Sequence, residues 1–183
     1  GVTFLVKEIG EAIMIATEQS PLAMGFILGG LMKIICTSPL SSMALTAMIS
    51  LTGMPMGIAA LACFGGSFTN GVLFSRLKLG NKANVAAVMI EPLTQAPIIT
   101  KNPIPIYASD FLGGGLSGIV AVMLGIINDA PGTASPLPGM LSLFAFNDIK
   151  TVLLALLLAA VCGLIAGFAG SAFFGRFYRK KEA

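Results

Sequence analysis

The sequence predicts an all-α, polytopic transmembrane helical bundle of about five spans with one re-entrant hairpin, on three observations. First, 56% of the 183 residues belong to the AVILMFWYC set, only 10% are charged, and mean hydropathy is +0.92. A soluble domain carries about 25% charged residues because its surface must hydrate. Eleven Lys/Arg and eight Asp/Glu would leave large apolar patches bare in water, whereas acyl chains solvate them. Second, uncharged runs reach the roughly 20 residues needed to cross about 30 Å of hydrocarbon. Third, many of the 22 glycines lie inside those runs as small-xxx-small pairs: Gly25/Gly29, Gly53/Gly57, Gly114/Gly118 and Gly163/Gly167. Such pairs let helix backbones pack closely where the hydrophobic effect supplies no attraction between helices.

Residues 1–20 read as an amphipathic or interfacial segment and 21–183 as the transmembrane domain. Phe4, Leu5, Ile9, Ala12, Ile13 and Ala16 recur at helical spacing, with Lys7, Glu8, Glu11 and Glu18 off that face. The start at Gly1 without an initiator Met is read as a truncated or processed chain. Leu22 to Cys36 is a short apolar stretch followed by Thr37-Ser38-Pro39, and 40–52 is a second. Whether these two cross or meet as a hairpin is open at this point. Between Lys33 and Arg76 lie 42 uncharged residues, divided at Thr52-Gly53-Met54-Pro55, where Pro removes a helical donor. Residues 104–127 and the uncharged run Thr151 to Gly175 supply the later spans. Residues 83–103 carry Glu91-Pro92 and Ala96-Pro97 within an apolar run. Broken backbone at membrane depth survives only where protein or water satisfies it, so a re-entrant hairpin is expected.

Charge orients the chain. Arg76, Lys78 and Lys82 stand together without an acid, and the tail 176–183 holds four basic residues and one acid. Loop 128–148 holds Asp129 and Asp148 and no basic residue. The positive-inside rule places the first two in the cytoplasm and the loop outside. One crossing between residues 82 and 128, plus the hairpin, satisfies that arrangement.

The chain contains no His, which excludes a Ser-His-Asp triad, a His-bound zinc and a phosphohistidine. No phosphate-binding loop or nucleophile elbow is present, and Gly113-Gly114-Gly115 follows no strand. Cys36, Cys63 and Cys162 sit in apolar runs and read as free small hydrophobes. Basic residues form no aromatic-interleaved patch, so nucleic acid is not an expected partner. No metal or cofactor is expected.

Ionisable groups at membrane depth cost several kcal/mol unless paired or hydrated. Glu91, beside Thr94 and Gln95, could hydrogen-bond the vicinal hydroxyls of a sugar, bind a proton, or form an ion pair with Lys33 or Lys101. Asn70, near Ser67 and Thr69, fits ligand contact or helix packing. Lys101 and Asn102 fit either the hairpin's freed carbonyls or the membrane interface. Thr37 to Ser42 reads as a second break lining a cavity or as a plain turn. Lys33 is expected to snorkel to the headgroups. Asp110 could pair with Lys101 or face a cavity.

At these polar breaks the sequence resembles the type 2-like enzyme IIC membrane family of the bacterial phosphotransferase system. The resemblance lies in Pro21-Leu22-Ala23-Met24-Gly25, in Pro39-Leu40-Ser41-Ser42 and in Pro97-Ile98-Ile99-Thr100-Lys101-Asn102-Pro103, with Ile98 where the family carries Asn. It covers roughly residues 15 to 127, the C-terminal half of the family's usual length. It implies a multi-pass protein of the bacterial cytoplasmic membrane that translocates a sugar, with phosphoryl transfer done by partner proteins. The expected partners are a small molecule of sugar type, the bilayer, soluble phosphotransferase subunits and further copies of the chain. Glu91, Thr94, Gln95, Asn70, Lys101 and Asn102 are the expected substrate-binding residues. The alternatives are a non-sugar or proton-coupled carrier, or a membrane sensor or scaffold on the same fold.

Overall fold

The computed structural model describes residues 20–181, together with 1, 3–5, 7, 8, 11 and 15, and leaves the side chains of 179–181 aside. The expected interfacial segment 1–20 therefore lies largely outside the described residues. Among them stand α1 (Pro21–Thr37), α2 (Ser42–Met48), α3 (Gly53–Arg76), α4 (Lys82–Ile90) and a 3-10 turn (Pro92–Gln95). The chain continues as α5 (Ala96–Lys101), α6 (Pro103–Met123), α7 (Pro136–Phe146) and α8 (Ile149–Lys181), with no strand among the described residues.

Among the described residues, three helices are long and apolar enough to cross a membrane: α3, α6, and α8 over Ile149–Tyr178. At 1.5 Å per residue, the 24 residues of α3 measure about 36 Å. The other two expected spans are shorter. α1 has 17 residues, and the seven of α2 reach only about 10 Å, so α2 cannot cross. α1 stops at Thr37 because Pro39 offers no N–H and Ser38 turns its hydroxyl back to donate to the Ile35 carbonyl. Ser41 then opens α2 by accepting from the Ala44 N–H at 3.2 Å. The two segments form a helix–turn–helix pair.

The helices touch where the sequence is small. α3 and α8 run parallel, with Gly163 against Gly65, Gly167 against Thr69 and Val72, and Gly170 near Leu73. α6 runs antiparallel to α1 and α3: Gly118 faces Gly25, Gly114 faces Gly29, Gly113 meets Thr69 and Ser117 meets Gly65. A methyl group on Gly118 would overlap the Gly25 carbonyl, and one on Gly163 the Gly65 carbonyl. A methyl group on Gly57 would likewise overlap the Ile126 carbonyl. The spaced glycines of the sequence are thus contact surfaces between backbones.

One end of the bundle gathers the starts of α3 and α8 and the ends of α6 and α7. There the Asn128 N–H donates to Gly53 O at 3.0 Å, the Gly53 N–H donates to Asp129 Oδ1 at 3.0 Å, and Asn147 exchanges hydrogen bonds with the Ile127 backbone. α6 ends in a Schellman motif, in which the Ile126 N–H donates to Ala121 O and Gly125 takes φ +63°. At the opposite end finish α3 and α8. The Tyr178 hydroxyl of α8 donates there to Asn102 Oδ1, between α5 and α6. α4 starts near that end with a reciprocal Asn81/Asn84 capping box and runs inward to Glu91. The segment expected as an outer loop, 128–148, contains α7, whose Gly139 packs on Ala60 of α3 and whose Leu143 is buried.

The glycine contacts set a test of this packing. Gly163→Leu is expected to cost about 1–3 kcal/mol by overpacking, read as a lower thermal midpoint in detergent. Leu157→Ala on the outer face of α8, where Leu157 is 63% exposed, should stay within about 0.5 kcal/mol. Equal shifts from the two variants would contradict the α3–α8 contact.

Candidate functional site

Three chain breaks converge at the level of the middle of α3. The first is the α1–α2 turn, the second the Glu91 break after α4, and the third the approach to α7 at Ala134-Ser135. They enclose a cavity of about 80 Å³ lined by Cys36, Leu40, Ser41, Ser42, Met43, Glu91, Leu93 and Ser135. The depth follows from the last turn of α1, which carries Cys36: the Lys33 methylenes lie on Gly66 and Thr37 Oγ1 meets the Asn70 amide, just past the midpoint of Gly53–Arg76. All three cysteines are free, and Cys36 and Cys63 are buried.

Glu91 is held at the tip of its break by its own backbone. Its N–H donates to Ala87 O at 2.9 Å, ending α4. Its carbonyl accepts from the Thr94 N–H at 3.1 Å and from the Thr94 hydroxyl at 2.7 Å, starting the 3-10 turn. Pro92 at the first position of that turn needs no partner for its nitrogen. The carboxylate reaches across the cavity, where Ser135 Oγ donates to Oε2 at 3.0 Å. Beside it Ser42 Oγ donates to the Ala134 carbonyl, joining the first and third breaks. No Lys or Arg pairs with Glu91 among the described residues, and Glu91 is one of the residues that line the cavity. No cluster of metal-ligating residues is found among the described residues.

A second polar cluster lies one helical turn away. Lys33 and Thr37 of α1, Asn70 of α3 and Asp110 of α6 are all fully buried. The Asn70 amide satisfies its neighbours in one orientation. Its nitrogen donates to Asp110 Oδ1 at 2.9 Å, and its oxygen accepts from Lys33 Nζ and Thr37 Oγ1, each at 3.1 Å. Lys33 and Asp110 make no direct ion pair; the amide stands between them. Lys33 therefore does not snorkel. Its methylenes lie on Gly66, where any side chain would collide with them. Cys36 and Thr37 are neighbours on the last turn of α1, so that turn carries a residue of each site.

Of the six residues expected to bind substrate, Glu91 alone lines the cavity. Thr94 is exposed and folds its hydroxyl onto the Glu91 carbonyl. Gln95 Nε2 donates to Thr94 Oγ1 at 3.1 Å, and Gln95 Oε1 accepts from Asn84 Nδ2 at 2.8 Å, tying the 3-10 turn back to α4. Asn70 belongs to the Lys33–Asp110 cluster. Asn102 Nδ2 donates to Ile98 O at 2.9 Å, and its oxygen accepts from Tyr178. Lys101 is exposed near the same end. Sequence reasoning missed Ser135, which lay in a segment read as an outer loop. It also missed the joining of Lys33 to Asp110, whose spacing along the chain gives no sign of contact.

The buried cluster makes a sharp energetic prediction. Removing one charge strands the other, so Lys33→Met or Asp110→Leu alone should cost about 3–5 kcal/mol. The double variant should recover most of that loss, read as thermal midpoints of all four proteins in detergent. Additive losses would mean that the two charges do not share one environment.

Searches of curated proteins and of solved structures gave no match. A family model described as "Phosphotransferase system, EIIC" matches residues 1–183, the whole of the chain. With its apolar helices and its polar breaks at mid-bundle, the chain belongs to the phosphotransferase system EIIC family.

Proposed function

We propose that this membrane component of a phosphotransferase system carries a sugar past Glu91, with phosphoryl transfer left to partner subunits. The observation behind this reading is a carboxylate with no ion-pair partner among the described residues, at the junction of three helix breaks midway along the bundle. Discontinuous helices that meet near the midplane are a recurrent way to build a solute site in transporters. An ionised carboxylate accepts hydrogen bonds from two adjacent hydroxyls, and the Ser41, Ser42 and Ser135 hydroxyls add donors and acceptors. Thr94, Gln95 and Asn102 act by holding the Glu91 break in shape, Lys101 by marking its membrane boundary, and Asn70 by fixing α1 beside it.

The orientation is part of the same proposal. The end bearing Arg76, Lys78, Lys82 and the tail 176–183 is cytoplasmic, in the inner membrane of a bacterium. Residues 83–103 then enter from the cytoplasmic side. The α1–α2 pair and the 128–148 segment enter from the outside, and the opposed tips meet at Glu91. A cavity of about 80 Å³ holds a few waters, whereas ligand pockets start near 300 Å³. Sugar entry therefore requires the tips to part, and this conformation is the occluded one.

Glu91→Gln keeps the size of the side chain and removes its charge. Hydrogen bonds to charged groups are worth about 1.5–3 kcal/mol, so sugar affinity should fall about 10- to 100-fold. Titration of a sugar panel into the detergent-purified protein reads this, with Lys101→Ala expected to bind normally. A folded protein that binds no sugar would transfer the reading to a carrier of another solute. Binding that is equal in wild type and Glu91→Gln would remove Glu91 from the site.

A further inference from the structure

A second concavity lies on the lipid-facing side of the bundle, away from the Glu91 cavity. It is a groove of about 340 Å³ between α3, α4 and α8, walled by Phe68, Val72, Val85, Met89, Leu164 and Phe168, with Arg76 among its lining residues. The walls are open to the surroundings, since Leu164 is 37% and Phe168 50% exposed. From Phe68 to Arg76 the groove follows α3 for about 12 Å. Arg76 is the last residue of that helix, so it stands at headgroup depth while Phe68 lies in the hydrocarbon. The Arg76 guanidinium rests over the Phe168 ring, 5.2 Å from its centroid, and has no carboxylate partner among the described residues. None of the three lining helices carries an Asp or Glu, and Lys78 and Lys82 follow directly in the chain.

We infer that this groove is a binding site for an anionic phospholipid, with one acyl chain along Phe68, Val72, Val85 and Met89 and the headgroup phosphate on Arg76. The argument is charge complementarity at fixed depth: an apolar slot that ends in one cation, with no anion on its walls, matches one lipid chain below one phosphate. A planar guanidinium offers a phosphate two parallel donors, and the aromatic face beneath holds it in place without using them. Basic pockets between membrane helices select acidic headgroups by the same physics. The site also touches the transport machinery, because Met89 stands two residues before Glu91 and packs on Gly71 of α3. A lipid in the groove would lie against α4 and brace the arm that carries Glu91.

The test uses the full chain in detergent, titrated with phosphatidylglycerol or phosphatidylcholine of the same acyl chains, with the thermal midpoint as readout. One basic residue at a membrane surface is worth about 1 kcal/mol, a preference of about fivefold. Phosphatidylglycerol should therefore stabilise at about one fifth of the phosphatidylcholine concentration. Arg76→Gln should abolish the preference. Val85→Trp, which fills the groove from a half-buried position, should remove stabilisation by both lipids. Glycerol 3-phosphate, the headgroup without chains, should not compete. Equal potency of the two lipids on the wild type would overturn the proposal, as would a preference that survives both variants. Displacement by glycerol 3-phosphate alone would make this a free-phosphate site. Protection of Val85→Cys from a maleimide that rises with protein concentration, and not with lipid, would place a second copy of the chain in the groove. No sugar enters these measurements, so their outcome is independent of the function proposed for Glu91.

Discussion

Every peptide group within hydrocarbon must find its hydrogen-bond partner inside the protein, and the rest of this architecture follows from that constraint. A continuous helix meets it automatically, as α3, α6 and α8 do. A broken helix meets it only by supplying partners at the break, and each break here does so from its own residues. Ser38 and Ser41 serve the α1–α2 turn, while the Glu91 backbone and Thr94 serve the second break. In the third, Asn128 Nδ2 donates to Thr133 and Ser142 hydroxyls, and its oxygen accepts from the Ala130 N–H. The breaks then lie against one another, which removes them from lipid. The cavity is a consequence of that meeting, because turns built from Pro and Ser pack less fully than helices lined with Gly.

The two polar clusters illustrate opposite solutions to burying charge. Lys33 and Asp110 are bridged through Asn70 across three different helices. Such a cluster adds little net stability compared with apolar packing, yet losing one member is costly, so it fixes how α1 seats against α3 and α6. The Glu91 carboxylate has, among the described residues, only a hydroxyl partner, and it lines a cavity. A carboxylate left in that condition stays hydrated or waits for a ligand.

The sequence carried the helical class, because composition and run length respond directly to lipid as solvent. It also carried the close-packing faces: Gly25/Gly29 and Gly114/Gly118 are spaced for one helix face and meet each other in space. The Glu91-Pro92 break was legible for the same reason, since proline acts on its own neighbours. The number of full crossings was less so. Residues 40–52 are apolar enough to suggest a span, but Ser41 and Ser42 begin the helix late and Ser50, with φ +50°, ends it early. Of the residues that line the candidate cavity, the sequence singles out Glu91 for ligand contact. Thr94 and Gln95 stand next to Glu91 in the chain and were read as its companions, yet a 3-10 turn points them back toward α4. Ser135, 44 positions away, takes the place they were expected to fill. Asn70 and Lys33 are partners through tertiary packing on Gly66, and no local pattern encodes that.

The closed contact of the opposed tips depends on few polar links. The Glu91 break is joined to the other two by one side-chain bond, from Ser135, while Ser42 and Ala134 bind those two to each other. In the proposed transport cycle the Glu91 arm is thus the element free to separate, and the α1–α2 turn and the α7 approach move as a unit. Breaking the Ser135–Glu91 bond costs little if another hydroxyl replaces it, because donor and geometry are alike. A sugar hydroxyl is such a replacement. Entry of substrate and release of the tip then become one exchange of hydrogen bonds on a single carboxylate. In that proposal Glu91 is an acid held by one serine, whereas the buried Lys33 and Asp110 are bridged by an amide.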